Sequence, residues 1–245
     1  MISVSVLIPA YNREQYLEET VRSVMKQTFS NIEIIIIDDA STDGTGAIAE
    51  RLAHEDTRIR VIQHNENKFR SGALNTGLDT ARSTYICFLD SDDCYLPNKL
   101  ERQVAFLEAH PGIDAVYGDF ETKYQHNQPK FVEAITSTER AHNELLARAH
   151  DKTTVPLAGG FIPSCSPLIR SSVFTSIRFD TTLRNSEDLD MWFQILGAGF
   201  RMERLPGSTY IYRLHRNQKS NDLERMRIAR TAIDSKLDAG TYLRK

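Results

Sequence analysis

Tyr85-Ile86-Cys87-Phe88-Leu89-Asp90-Ser91-Asp92-Asp93 is an apolar run that breaks off into three carboxylates within four residues. Like charges this close repel, so at neutral pH they are either well hydrated or share a cation. Oxygen ligands suit Mg²⁺ or Mn²⁺, and Mg²⁺ commonly binds through one or two carboxylates while sharing its other positions with water and substrate phosphate. The run therefore predicts a strand that delivers acidic side chains to a divalent ion and a phosphate group. Asp and Ser also gather wherever a strand gives way to a turn or a helix N-cap, and the segment alone fits that reading too. A calcium loop does not fit. Asp90, Asp92 and Glu101 fall on its first, third and twelfth positions, but Tyr95 stands where that loop needs glycine, and Pro97 obstructs it further.

Working outward, apolar strands alternate with helical stripes. Residues 4–8 read as a buried strand, with pairing expected to stop at Pro9, which has no N–H for a ladder. Leu17, Val21, Val24 and Met25 make one apolar helical stripe, and residues 32–37 a β-branched strand of the kind covered on both faces. A helix around Ile48 and Leu52, a strand over 59–62 and a helix over 72–81 lead into the opening run. Pro97 suits a first helical position, with Leu100, Val104 and Leu107 on one face, and 115–117 reads as a fifth strand. Alternation at this spacing predicts βαβ units and an α/β fold with a mostly parallel sheet. Residues 119–163 lose the rhythm. It returns as a strand over 166–169, a helix from Ser186 with Leu189, Trp192, Phe193 and Leu196 on one face, strands over 202–205 and 210–214, and a helix from about Leu223.

With 245 residues, 40% of them hydrophobic, and a net charge of −3, the chain reads as an ordinary globular protein with no bulk attraction to nucleic acid. Three cysteines, Cys87, Cys94 and Cys165, have neither zinc-type spacing nor an even count, which fits a reducing cytoplasm. Residues 1–10 lack a basic leader, so they are not expected to be a signal peptide. No run approaches the roughly 18 apolar residues of a membrane span. Arg213, Arg216, Lys219, Arg225, Arg227 and Arg230 make the tail locally basic, as a solvated helix face would be, so at most peripheral membrane contact is expected.

In open α/β sheets ligands bind beyond the carboxyl ends of the strands, and the unusual polar clusters of this sequence each follow a strand. There is no GxGxxG and no GxxxxGK[ST] after the first strand, which argues against a dinucleotide fingerprint and a P-loop. Four segments then occur in order: Val4-Ser5-Val6-Leu7-Ile8-Pro9-Ala10-Tyr11-Asn12, Ile37-Asp38-Asp39-Ala40-Ser41-Thr42-Asp43-Gly44-Thr45, Asn75-Thr76-Gly77 and Leu89-Asp90-Ser91-Asp92-Asp93. Together they resemble the inverting, nucleotide-sugar-dependent glycosyltransferases of family 2. The resemblance is dense over about the first 120 residues and resumes at Ser186-Glu187-Asp188-Leu189-Asp190-Met191-Trp192.

The resemblance implies a GT-A fold in a single domain, with a nucleotide-sugar half at residues 1–118 and an acceptor and base half at 119–245. It implies that Pro9, Ala10 and Tyr11 flank the base, and that Asp39 accepts the N3–H of a uracil, the commoner base in such enzymes. Arg70 matches a nucleotide-contacting position, where a planar, permanently charged guanidinium is apt. Asp90-Ser91-Asp92 matches the DXD motif, with Asp90 near the ribose and Asp92 the foremost ligand of Mn²⁺ or Mg²⁺. Asp93 is a second ligand or a helix cap, and His215 a further metal or diphosphate contact. Asp188 matches the general base, although Glu187, Asp188 and Asp190 at a helix start also offset the macrodipole, which would lower their pKa values. Trp192 is expected in the core. His54, His64, His110, His126, His142 and His150 share no ligand-like spacing and are expected on the surface.

The chain departs from polymerising members in having Gln194 followed by Ile195-Leu196-Gly197-Ala198 instead of a Gln-x-x-Arg-Trp motif. That implies transfer of one sugar per encounter to a glycan or lipid-linked acceptor. Two other readings stay open at this point. A phosphatase of the haloacid dehalogenase type also begins with Asp-x-Asp after a strand, but normally the first strand, with Thr or Val where this chain has Cys94. A nucleotide-sugar-binding module without turnover would keep the same motifs, and Asp188 argues against it.

Overall fold

The structure, a computed structural model, describes residues 2–124, 162–215, 218 and 222–242. Strands β1 (Val4–Ala10), β2 (Ile32–Asp38), β3 (Ile59–Gln63) and β4 (Tyr85–Phe88) are separated by helices α1 (Leu17–Met25), α2 (Thr45–Glu55) and α3 (Phe69–Thr80). There follow β5 (Cys94–Tyr95), α4 (Lys99–Ala109), β6 (Ala115–Tyr124), β7 (Leu168–Arg170), a 3₁₀ turn (Ser171–Thr175), α5 (Glu187–Gly197), β8 (Met202–Leu214) and α6 (Leu223–Asp238). Among the described residues they build one eight-stranded sheet in the order β3-β2-β1-β4-β7-β6-β8-β5. Pairing is parallel from β3 to β4 and between β6 and β8, and antiparallel where β7 joins β4 to β6 and where β5 joins β8.

The unbroken apolar strands have the predicted cause. Val4, Val6, Ile8, Ile34 and Ile36 face a core shared with α1, α2 and α4, while Leu7, Ile35, Ile37, Ile86 and Phe88 face one shared with α3 and α5. Each fully buried aliphatic side chain contributes roughly 1.5–3 kcal/mol, so a register slip of one residue would forfeit both faces at once. Trp192 lies in the second core, 1% exposed, its Nε1 donating to the Ile162 carbonyl at 3.2 Å. Gly77 lets α3 approach the sheet, since a Cβ there would sit 3.0 Å from Leu7 Cδ1 and 3.1 Å from Ile37 Cδ1. α6 packs on α5 through Leu189, Phe193, Ala229, Ile233 and Leu237. Beneath that contact, Lys236 Nζ and the Tyr242 hydroxyl both donate to Asp190 Oδ1, a carboxylate with no exposed surface.

Several expectations change. β1 does not stop before Pro9: the ladder to β2 continues through Pro9↔Ile37 to Ala10↔Asp38. Leu89 N donates to Leu7 O, so Leu7, and two residues on Pro9, turn their polar backbone toward β4, where pairing has already ended at Phe88. The missing N–H is therefore not needed. α4 starts at Lys99, beyond Pro97, and Asp93 caps no helix. The two strands expected after α5 are one strand with irregular pairing, and the shift lies beside Gly118, where a Cβ would meet Thr209 Cγ2 at 2.4 Å. Of residues 119–163, those at 119–124 complete β6, and 125–161 lie outside the described residues, as do His126, His142, His150, Arg216 and Lys219. No described helix is long and apolar enough to cross a membrane.

Candidate active site

The site forms at the carboxyl edge of β1 to β4. Two loops there are stitched by side chains of the first two motifs. Asn12 Oδ1 accepts Thr42 N at 2.8 Å, Ser41 Oγ accepts Asn12 N at 3.0 Å, and Thr45 Oγ1 accepts Arg13 N at 2.7 Å. Asp38 Oδ1 closes the second loop on Ser41 N at 3.1 Å. The stitching leaves the Tyr11 ring 44% exposed while Pro9 and Ala10 stay buried, so of these three only Tyr11 offers a side chain to a ligand. Asn12, Ala40, Phe69 and Ser186 are the non-glycine residues with positive φ among those described, at 53 to 62°. Each adjoins a site position, which is where backbone strain is usually retained.

Asp39 is 3% exposed at the tip of β2. Its Oδ1 takes the Lys68 N–H at 2.8 Å and lies 2.7 Å from His64 Nδ1, while His64 Nε2 lies 3.0 Å from Thr76 Oγ1. The expectation that His64 is a surface residue is thus overturned: its side chain is 5% exposed, held between Asp39 and α3. It sits directly after β3, the position that marked the other site residues. His54 and His110 are exposed as expected. The third motif also finds its role. Asn75 exchanges hydrogen bonds with the Phe179 backbone at 2.9 and 3.0 Å, clipping α3 to the segment that leads into α5.

Arg70, in the first turn of α3, joins the two halves of the site. Its Nε donates to Asp90 Oδ1 at 2.7 Å and its NH1 to Glu187 Oε1 at 3.4 Å. Burial works against the guanidinium charge, but Asp90, Glu187 and Asp188 outweigh it and raise its pKa. Asp188 is half-buried in the first turn of α5, with Oδ1 accepting the Leu189 N–H at 2.9 Å. Burial and the neighbouring Glu187 push its pKa up, against the pull of Arg70. The helix-start lowering expected from sequence therefore loses to desolvation and like charge.

The acidic segment is divided in its contacts. Asp92 Oδ2 receives Arg13 Nε at 3.1 Å and lies 3.0 Å from Nε2 of the buried His215, whose ring stacks on Tyr16. Burial raises the Asp92 pKa, but His215 and Arg13 bring it below the ordinary value. Asp93, 1% exposed, accepts the Arg213 N–H at 2.8 Å, and burial beside Asp92 and Asp90 drives its pKa well up. Ser91 is buried, its carbonyl accepting from Thr20 Oγ1 at 3.1 Å. Asp90, Asp93 and Cys165 place donor atoms within 4.8 Å of one another. Sequence reasoning missed Arg13, His64 and Cys165. Arg13 adjoins the first motif and could have been found from it, whereas nothing local marks Cys165.

A family model described as glycosyl transferase family 2 matches residues 5–175. EpsE of Bacillus subtilis (strain 168), named as a glycosyltransferase, is 32% identical over 217 residues, 84% of this chain and 71% of its own length. S. aureus TarS 1–349 in complex with UDP aligns with a TM-score of 0.69 and 22% identity, over 93% of this chain and 64% of that one. The mannosyltransferase PcManGT from Pyrobaculum calidifontis, in complex with GDP-Man and Mn²⁺, gives 0.68 and 20% over 97% and 63%. The chain spans from 27% to 82% of the length of the first curated relatives it matches. Nothing among these favours the phosphatase or the inert binding module. With the family match running over most of its length, the chain belongs to glycosyl transferase family 2 and has the GT-A fold.

Proposed function

We propose that this chain transfers one sugar from a UDP-sugar to an acceptor hydroxyl with inversion, assisted by a divalent metal. The observation that carries the reading is Arg70, whose guanidinium touches Asp90 Oδ1 and Glu187 Oε1 and so sets the acidic strand tip beside Asp188. In this reading Tyr11, with the Pro9 and Ala10 backbone, flanks the base, Asp39 accepts its N–H, and Asp90 with Ser91 lies toward the ribose. Neighbours bound to UDP and to GDP-Man with Mn²⁺ support a nucleoside diphosphate sugar as donor.

The residues present fit a divalent ion. Asp92 and His215 bring an oxygen and a nitrogen ligand atom to 3.0 Å of each other, and Asp90 and Asp93 add carboxylates whose crowding raises the Asp93 pKa. When bound, the ion would neutralise charge on the departing diphosphate. Asp188 does the proton work: its carboxylate takes the proton of the acceptor hydroxyl as that oxygen attacks the anomeric carbon opposite the diphosphate. A carboxylate raised by burial is a stronger base than a free one, and Arg70 keeps it ionised. The acceptor is a glycan or lipid-linked hydroxyl met one at a time, in the cytoplasm or at a membrane face touched only peripherally. Among the described residues of the basic tail, Arg213 pairs with Glu19, Arg225 with Asp222 and Arg227 with Glu224, which fits a solvated face better than a membrane patch.

Two substitutions test the assignment. Asp188→Asn is expected to reduce donor-sugar transfer by roughly 10³-fold while leaving UDP affinity within about twofold. Asp92→Asn is expected to abolish Mn²⁺-dependent UDP binding in calorimetry. Unchanged transfer in the first variant removes Asp188 as base, and unchanged metal-dependent affinity in the second removes Asp92 as ligand.

A further inference from the structure

We infer that His64 is a specificity-determining positioning residue, which makes Asp39 a reader of uracil and a poor reader of guanine. The inference rests on the reading that Asp39 meets the nucleobase. A carboxylate has two oxygens, each with about two acceptor directions. Oδ1 of Asp39 has both of its directions spent, on the Lys68 N–H at 2.8 Å and on His64 Nδ1 at 2.7 Å. Because the carboxylate only accepts, Nδ1 carries the proton. Among the described residues nothing donates to Oδ2. The ring is fixed from its far side by Thr76 Oγ1 at 3.0 Å from Nε2, and its backbone by His64 N donating to Asp38 O at 2.9 Å. The carboxylate therefore cannot turn without breaking contacts to β3 and to both the start and the middle of α3.

One free oxygen suits one kind of base. Uracil presents a single N–H between two carbonyls, which one acceptor satisfies. Guanine presents its ring N–H beside an exocyclic amino group, a pair of donors that engages both oxygens of a carboxylate. Here the second guanine donor would face an oxygen already saturated and would be left unpaired against a buried wall. An unpaired buried donor costs about 1–3 kcal/mol, so UDP should bind about tenfold or more tighter than GDP. Cytosine and adenine have no ring N–H to give Oδ2 and would set a ring acceptor nitrogen where uracil sets its donor.

The measurement is calorimetric titration of the full chain with UDP and with GDP, each with Mn²⁺, in wild type, His64→Leu and His64→Asn. Leucine removes the donor at Oδ1, whereas the asparagine amide nitrogen stands where Nδ1 stood. Wild type should favour UDP about tenfold. The leucine variant should lower that ratio at least fivefold, as UDP weakens and GDP holds or tightens, and asparagine should restore most of it. General loosening of the fold would weaken both nucleotides together and leave the ratio untouched. Should His64→Leu fail to fold, Thr76→Val, which releases the far side of the ring, is read by the same ratio. A wild type that binds GDP as tightly as UDP, or a ratio equal in wild type and variant, overturns the inference. Asp39→Asn separates the two levels: unchanged UDP affinity there removes Asp39 from the base site altogether, while a loss there with an unaltered ratio in His64→Leu removes only His64.

Discussion

Arg70, half-buried, and Lys99, fully buried, are cations at the starts of helices on opposite faces of the sheet, both near the acidic segment, and the protein treats them in opposite ways. Arg70 has Asp90 at 2.7 Å and Glu187 at 3.4 Å, and its pKa rises. Lys99 has no exposed surface and, among the described residues, meets no carboxylate. Its Nζ donates to Gln103 Oε1 at 2.6 Å and lies 4.4 Å from the Tyr95 ring centroid, and burial lowers its pKa to about 8. On the ligand side, charge is matched by charge; on the core side, charge is tolerated. The difference separates a cation tied to the proposed site from one the core merely contains.

Removing Arg70 should have the largest effect. Arg70→Met leaves Asp90 and Glu187 facing each other uncompensated, and breaking such a pair typically costs several kcal/mol. Asp90 keeps 27% of its side chain in water, so we expect about 2 kcal/mol in chemical denaturation. The same variant should shift the acid limb of kcat/KM. In the proposed mechanism transfer needs Asp188 ionised and is lost as pH falls through its pKa, which lies above the ordinary 3.8. Arg70 holds that pKa down, so its removal should move the limb to higher pH. A limb that stays in place would break the link between the two residues.

Lys99→Met should go the other way, raising stability at pH 7 by up to about 3 kcal/mol. Below about pH 8 folded and unfolded chains both hold the lysine proton and the full penalty applies. Between about 8 and 10.5 the folded chain has released it and the unfolded chain has not, so wild-type stability should rise with pH across that window. The methionine variant should lose this rise. Destabilisation at neutral pH would show that Lys99 has a charged partner after all. The smallest effect is expected on the surface, where Arg22 and Arg51 bridge Glu18 and Glu55 at 2.7 to 2.9 Å across α1 and α2. Arg51→Ala should leave the denaturant midpoint unmoved at moderate salt, since exposed pairs are screened.

How much of this was legible in the sequence follows from the range of each signal. β1 to β4 and their helices repeat a local period of apolar residues, and the polar residues just after each strand marked Asp39 and Asp90 to Asp93 without any knowledge of pairing. β7 was visible as a strand, but its antiparallel place between β4 and β6 depends on partners that both lie more than fifty residues earlier in the chain. β5, two residues long, has no period to detect. His64 is not legible locally because its sequence neighbours carry no ligand-like spacing, and its partners come from the tip of β2 and the middle of α3. The Asp188 pKa was misjudged because a helix start is a local feature, whereas Glu187 and burial act through the assembled cleft.

The clasp beneath α5 has a consequence for biosynthesis. Asp190 leaves the ribosome 46 residues before the lysine that neutralises it and 52 before the tyrosine that caps it. Until both arrive, seating α5 would bury a carboxylate with no cation beside it, its Oδ2 held by Gln194 Nε2 at 2.7 Å, which water opposes strongly. The loops after β1 to β4 lie within the first hundred residues, while the helix bearing Asp188 waits for Lys236 and Tyr242 to be translated.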